Sequence, residues 1–127
     1  MEKNRADLLE ERLITFGVKV ALFSETLPLT EFGKKMRDQL SRSGSSAALN
    51  YGEARAAESR KDYIHKMKIC LKELRETFNS LRSTKQYLEG RCQITQSLEP
   101  LLKENNELIS IFVVSISRTI KGTKKTP

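Results

Sequence analysis

A chain of 127 residues is long enough for one hydrophobic core and short for two, so a single domain is expected. Hydrophobic residues at 38%, charged residues at 31%, no Trp and three Pro suit a helical protein better than a turn-punctuated β-sandwich. The net charge of +7 is compatible with a polyanionic partner and equally with a solvated surface, while two Cys and one His cannot complete a tetrahedral zinc shell within one chain.

The amino terminus, Met-Glu-Lys-Asn-Arg-Ala-Asp, lacks the basic-then-apolar layout of a signal peptide. No run approaches the roughly 18 apolar residues of a membrane span. A cytoplasmic protein with no membrane partner is expected, with Cys70 and Cys92 as thiols.

Leu9, Leu13, Phe16, Val20 and Phe23 alternate spacings of four and three, which predicts a first helix from about Asn4 to Ser24. Leu27-Pro28-Leu29 ends it, because proline forbids continuation. Thr30 is a good N-cap for a second helix, along which Phe32, Met36, Leu40, Ser43, Ala47, Asn50, Ala54 and Ala57 recur at threes and fours. Past Leu40 that stripe turns small or polar, with Gly44 and Gly52 nearby. Either the helix bends there or another backbone comes close, and a loop over Ser41 to Ser46 is a third reading.

Ser59 and Asp62 resemble a capping box ahead of Ile64, Met67, Leu71, Leu74, Phe78, Leu81 and Leu88, the stripe of a third helix. It should end near Leu88 to Gly90, with Gly90 in the left-handed terminal position. A fourth helix should begin between Thr95 and Ser97, tolerate Pro100 in its first turn and end near Gly122. The organisation expected is one four-helix unit over residues 1–121 and a flexible basic tail over 122–127. In the last helix Ile109, Ile111, Phe112, Val113, Val114 and Ile116 spread apolar surface over most of the circumference, more than one packed face buries. Self-association is the simplest cover, with Ile109, Phe112, Val113 and Ile116 as the expected interface.

Three stretches carry a resemblance. They are Gln39-Leu40-x-Arg42-Ser43-x-x-Ser46-Ala47-x-x-Asn50-x-x-Glu53, then Leu71-Lys72-Glu73-x-Arg75-Glu76-Thr77 with Leu81-Arg82, and Leu102-x-Glu104-x-x-Glu107-Leu108 with the Ile/Val run after it. At these positions the chain resembles the small bacterial four helix bundle protein family, first noted in intervening sequences within large-subunit ribosomal RNA genes. The resemblance implies an all-α, antiparallel up-and-down four-helix bundle forming a ring-like homo-oligomer, a pentamer. It also implies a distant similarity to the accessory protein of diversity-generating retroelements, a basic oligomer that works with a reverse transcriptase and nucleic acid. The chain departs from the pattern at Asn79 and Ser80, where an aromatic pair often stands.

No catalytic motif accompanies these stretches, and neither an enzyme activity nor a cofactor is expected. Arg42, Ser46, Asn50 and Glu53 share one side of the second helix, and Glu73, Glu76 and Thr77 offer a second polar set on the third; a structural hydrogen-bonded network linking the two is expected, and a small-ligand or nucleic-acid site is the sharper alternative. Residues 32–91 hold fourteen basic and seven acidic groups, a difference equal to the chain's whole net charge. Lys34, Lys35, Arg37, Arg42, Arg55, Arg60 and Lys61 are its densest part and the expected nucleic-acid contacts, to RNA or DNA. The rival expectation is a scaffold for a protein partner, with the charge serving solubility.

Overall fold

A computed structural model describes residues 2–124 as four helices: α1 (Arg5–Ser24), α2 (Glu31–Arg55), α3 (Arg60–Gly90) and α4 (Leu98–Lys124). Each helix packs antiparallel on the next, and α1 closes the bundle lightly against α4. The connections are short, which makes sequence neighbours spatial neighbours. No contact joins α1 to α3, so these two helices occupy diagonal corners.

Local chemistry sets the helix starts. The Asn4 side chain accepts from the Asp7 amide at 2.8 Å while the Asp7 carboxylate accepts from the Asn4 amide at 3.2 Å, a reciprocal capping box. Thr30 Oγ1 accepts from the Gly33 amide at 3.1 Å and lies 2.7 Å from the Tyr87 hydroxyl, tying the start of α2 to the end of α3. Ser59 Oγ accepts from the Asp62 amide at 3.0 Å.

The end of α3 differs from expectation. Gly90 is the last helical residue, and the left-handed position falls to Cys92, with φ 59°. Two bonds close the turn there: Gln93 N–H donates to Leu88 O at 2.9 Å and Cys92 N–H to Glu89 O at 2.9 Å. That is the Schellman arrangement, built without glycine where glycine is usual. At the far end, α4 extends to Lys124, past the tail boundary expected at residue 122; Lys125 onward lies outside the described residues.

The core takes Leu13, Phe16 and Val20 from α1, Leu40, Ala47 and Tyr51 from α2, Met67, Cys70, Leu74 and Leu81 from α3, and Leu98, Leu108 and Phe112 from α4. Tyr51 meets Phe112 edge to face, with centroids 5.7 Å apart. Of the readings for the small-residue half of α2, close backbone approach is the one realised. A Cβ on Gly17 would stand 2.8 Å from the Gly44 carbonyl oxygen, so α1 and α2 touch backbone to backbone and α2 continues unbroken through Ser41 to Ser46. Among the buried polar side chains Asn105 is half-satisfied: its Nδ2 donates to Leu74 O at 3.0 Å, and its Oδ1 has no hydrogen-bond partner among the described residues.

Candidate nucleic-acid interface

The distribution of charge follows from which carboxylates the helices use to hold one another. Arg12 on α1 donates to Glu104 through Nε at 2.8 Å and Nη2 at 2.6 Å, and to Glu107 at 2.7 Å, clamping α1 to α4. The guanidinium holds the Glu104 carboxyl below the ordinary range. Arg55 at the end of α2 reaches Glu10 at 2.8 Å and Asp7 at 2.9 Å on α1, and its hydrogen bond lowers the Asp7 pKa. Lys66 on α3 pairs with Glu53 on α2 at 2.8 Å, and Lys85 on α3 pairs with Glu99 on α4 at 2.7 Å. Lys3 and Glu11 also pair, along α1.

The seven expected contact residues do not make one patch. Lys34, Lys35, Arg37 and Arg42 lie on the first half of α2, all exposed, with Arg42 paired to Asp38 at 2.6 Å. Arg60 and Lys61 sit beyond the other end of that helix, about 30 Å away at 1.5 Å per residue. Arg55 is committed to the α1–α2 ion bridge.

A different set is more coherent. Lys61, His65, Lys68, Lys72, Arg75, Asn79, Arg82 and Gln86 alternate spacings of four and three along α3, and every one is exposed. At 100° per residue they stay within a sector about 100° wide, opposite the buried Cys70, Thr77 and Leu88. Five of the eight are Lys or Arg, and none is acidic. Among the described residues, no salt bridge engages those five. Glu76 flanks the stripe toward α2 and Glu89 lies at its far end. The guanidinium of Arg82 lies 5.8 Å from the ring centroid of the half-buried Phe78.

The expected polar network is realised in pieces. Asn50 Nδ2 donates to Ser46 O at 2.9 Å and Ser46 Oγ at 3.0 Å, within α2. Glu53 pairs with Lys66, and Arg42 turns to Asp38 rather than across to α3. The buried link between the helices runs through Thr77, a member of the polar set expected on the third helix, whose Oγ1 donates to Ser43 Oγ at 2.8 Å. Above it, Gln39, Arg42, Ser46, Glu73 and Glu76 line a cleft of about 410 Å³. Burial first, and then the charge of Glu76, push the Glu73 carboxyl above its ordinary value. Burial also pushes the Cys70 thiol up to about 12, which leaves it a neutral core group.

Apolar exposure also departs from expectation. Phe112 and Ile116 are buried within the protomer and Ile109 is half-buried, because they lie on the side of α4 that faces the bundle. Of the expected interface quartet only Val113 is exposed, beside Val114, at 42% and 45%. The larger uncovered apolar surface is on α1, where Leu8, Ile14, Val18 and Leu22 are between 51% and 60% exposed. Ile14, Val18 and Leu22 repeat every fourth residue along the outward side of α1. The bundle thus has an apolar corner at α1 and, diagonally opposite, a basic corner at α3. Between α1 and α4 a groove of about 770 Å³ opens over Leu8, Leu9, Tyr51, Ile111 and Val114, with Arg5 and Arg118 at its edges.

No group of three or more His, Cys, Asp or Glu side chains among the described residues is placed to hold a metal ion. No helix among them is long and apolar enough to cross a membrane. Fold and surface define a small all-helical bundle whose distinguishing features are two opposed faces. The chain belongs to the 23S rRNA-intervening sequence protein family, whose family model matches residues 11–111. It is similar to the crystal structure of a protein of unknown function from the S23 ribosomal protein family of Bacteroides thetaiotaomicron. That match has 27% identity and a TM-score of 0.73, covering 90% of this chain and 99% of that one. Among curated proteins, none matches the chain.

Proposed function

We propose that this chain is a non-catalytic, self-associating bundle that binds nucleic acid, RNA or DNA, through the outward cations of α3. The observation that carries the reading is the register of Lys61, Lys68, Lys72, Arg75 and Arg82. They share one sector of one helix with no acid in line, while four other cations are held in ion pairs between helices. A solvated face without function ordinarily mixes both signs, so that its far field cancels. Here the field of the cations adds, and phosphates are the chemistry that it attracts without regard to sequence.

Self-association is supported by α1, whose outward Leu8, Ile14, Val18 and Leu22 have no cover in the protomer. Copies meeting through α1 would leave α3 outward, so each assembly would present several basic stripes and gain avidity from them. The ring, and the pentamer that the family resemblance implies, belong to this proposal.

The test is fluorescence anisotropy of labelled RNA and DNA against the purified protein at low ionic strength, with light scattering for the mass of the assembly. Binding that weakens steeply with salt, by an assembly several times 14.5 kDa, is the expected result. No association with any RNA or DNA probe at low salt would overturn the nucleic-acid reading. Recovery of a defined protein after nuclease treatment would then favour the rival, a protein-interaction scaffold docking through the apolar α1 face.

A further inference from the structure

We infer that the α3 stripe is built for the backbone of a double-stranded nucleic acid and not for a single strand. This rests on the nucleic-acid reading above and narrows it. Three observations carry it. The stripe is long and winds slowly: Lys61 to Arg82 spans about 31 Å at 1.5 Å per residue, close to the roughly 34 Å of one duplex turn, while drifting about 60° around the helix. It is also stiff, because α3 is one unbroken helix whose only glycine is its last residue, Gly90. A rigid row of cations on a convex ridge matches fixed rows of phosphates.

The third observation is what the face lacks. Proteins that hold single strands combine a charged channel with aromatic rings on which bases stack. This chain has five Phe and three Tyr, and none of them is exposed. Tyr51 is in the core against Phe112, Tyr87 is packed on Phe32 and bonded to Thr30, and Phe78 lies half-buried with Arg82 over it. Bases splayed from a single strand would find one ring on this face, the imidazole of His65, and no Phe or Tyr to stack on. A duplex keeps its bases stacked and needs only its phosphates neutralised.

Counterion release makes the difference measurable. Five phosphate contacts give a slope of log affinity against log salt of about −4.5 on B-DNA, against about −3.5 on a single strand. With equal intrinsic contacts, that gap amounts to a preference for duplex of about twenty-fold near 50 mM salt. The experiment titrates the intact protein against matched-length duplex DNA, duplex RNA and their separate strands across a salt series. The variants are Lys68→Gln/Lys72→Gln/Arg75→Gln, and Lys34→Gln/Lys35→Gln on α2 as the control. All five positions are exposed, so circular dichroism should report unchanged helix content. The expected result is tighter binding of duplex, with the triple α3 variant losing about 2.7 from the slope and the α2 variant much less. The DNA and RNA duplex arms identify which backbone is preferred. Single strands bound as tightly as duplex would overturn this inference and leave the broader reading standing. Slope lost through α2 and not α3 would overturn the assignment of the stripe. No binding by any probe would overturn both.

Discussion

Replacing Gly17 by Ala and, separately, Gly52 by Ala sets two local effects against each other with opposite expected signs. Both glycines are inside helices, where alanine is favoured by about 1 kcal/mol. At Gly52 the added Cβ meets only Glu10 Oε2, at 3.3 Å, the far end of a flexible side chain that must give by a few tenths of an ångström while its other oxygen keeps Arg55. Gly52→Ala should therefore gain close to the full propensity term. At Gly17 the Cβ lands 2.8 Å from Gly44 O, 3.3 Å from Gly44 C and 3.4 Å from Ser45 Cα, all backbone of a packed helix. Relief requires α1 and α2 to separate along their most intimate contact, and overpacking of this kind costs about 1–3 kcal/mol. Because the propensity term is common to both variants, the difference between them isolates the steric cost. Urea unfolding at one fixed protomer concentration, which holds any assembly contribution constant, should place Gly17→Ala about 1–3 kcal/mol below Gly52→Ala with unchanged m-values. A Gly17→Ala protein as stable as Gly52→Ala would refute backbone contact as the reason for the glycine.

Cys92→Gly should stabilise by about 1 kcal/mol in the same assay, since a β-carbon in the left-handed region costs about 1–2 kcal/mol and glycine's greater unfolded entropy takes part of that back. Glu73→Gln should raise the unfolding free energy at neutral pH by about 0.5 kcal/mol or less, the scale of a substitution near the surface. A carboxyl whose pKa is raised by folding binds protons more readily folded than unfolded, so its cost is complete above the raised value, and the advantage of the variant should vanish as pH falls through that value and the ordinary carboxylate range. Val18→Glu/Leu22→Glu should reduce the mass seen by light scattering while keeping helix content. Phe112→Asp, at a side chain fully buried in the protomer, should instead unfold the chain, and equal damage from both would remove α1 as the association face.

Helix positions were legible in the sequence because they rest on local signals: Thr30 and Ser59 as caps, Pro28 as a stop, and apolar spacing between them. The close approach at Gly44 was visible as one of several readings, but its partner Gly17 was not. A lone glycine within a good apolar stripe does not announce what lies across from it. The basic face was missed for a different reason. Charge was weighed by density along the chain, which favours clusters such as Lys34-Lys35 and Arg60-Lys61, whereas a helix displays charge by register. The spacing from Lys61 to Gln86 was present in the sequence throughout, and read at threes and fours it gives the stripe directly. The apolar interface was placed on α4 because hydrophobicity around a helix was read without knowing its depth. Which of the Ile and Val side chains of α4 face the bundle is set by its rotation against α3 and α1, and the larger exposed apolar side is left on α1.

The diagonal placement of the two faces makes their responses to salt separable. An assembly held by Ile14, Val18 and Leu22 is held by hydrophobic burial, which added salt leaves unchanged or slightly strengthens. The α3 stripes, on the far corner of each bundle, would be kept apart in that assembly, so repulsion between them adds little to oppose it, and screening within about 8 Å at physiological salt diminishes what remains. Nucleic-acid affinity by the same five cations should fall by several hundred-fold between roughly 50 and 200 mM salt. Raising the salt should therefore release the nucleic acid from an assembly whose mass stays constant, as light scattering and anisotropy on one sample would show. If the assembly instead dissociates as salt rises, its contacts are ionic, the apolar face of α1 is not what joins the copies, and the cations of α3 or α2 would have to be sought in the interface itself.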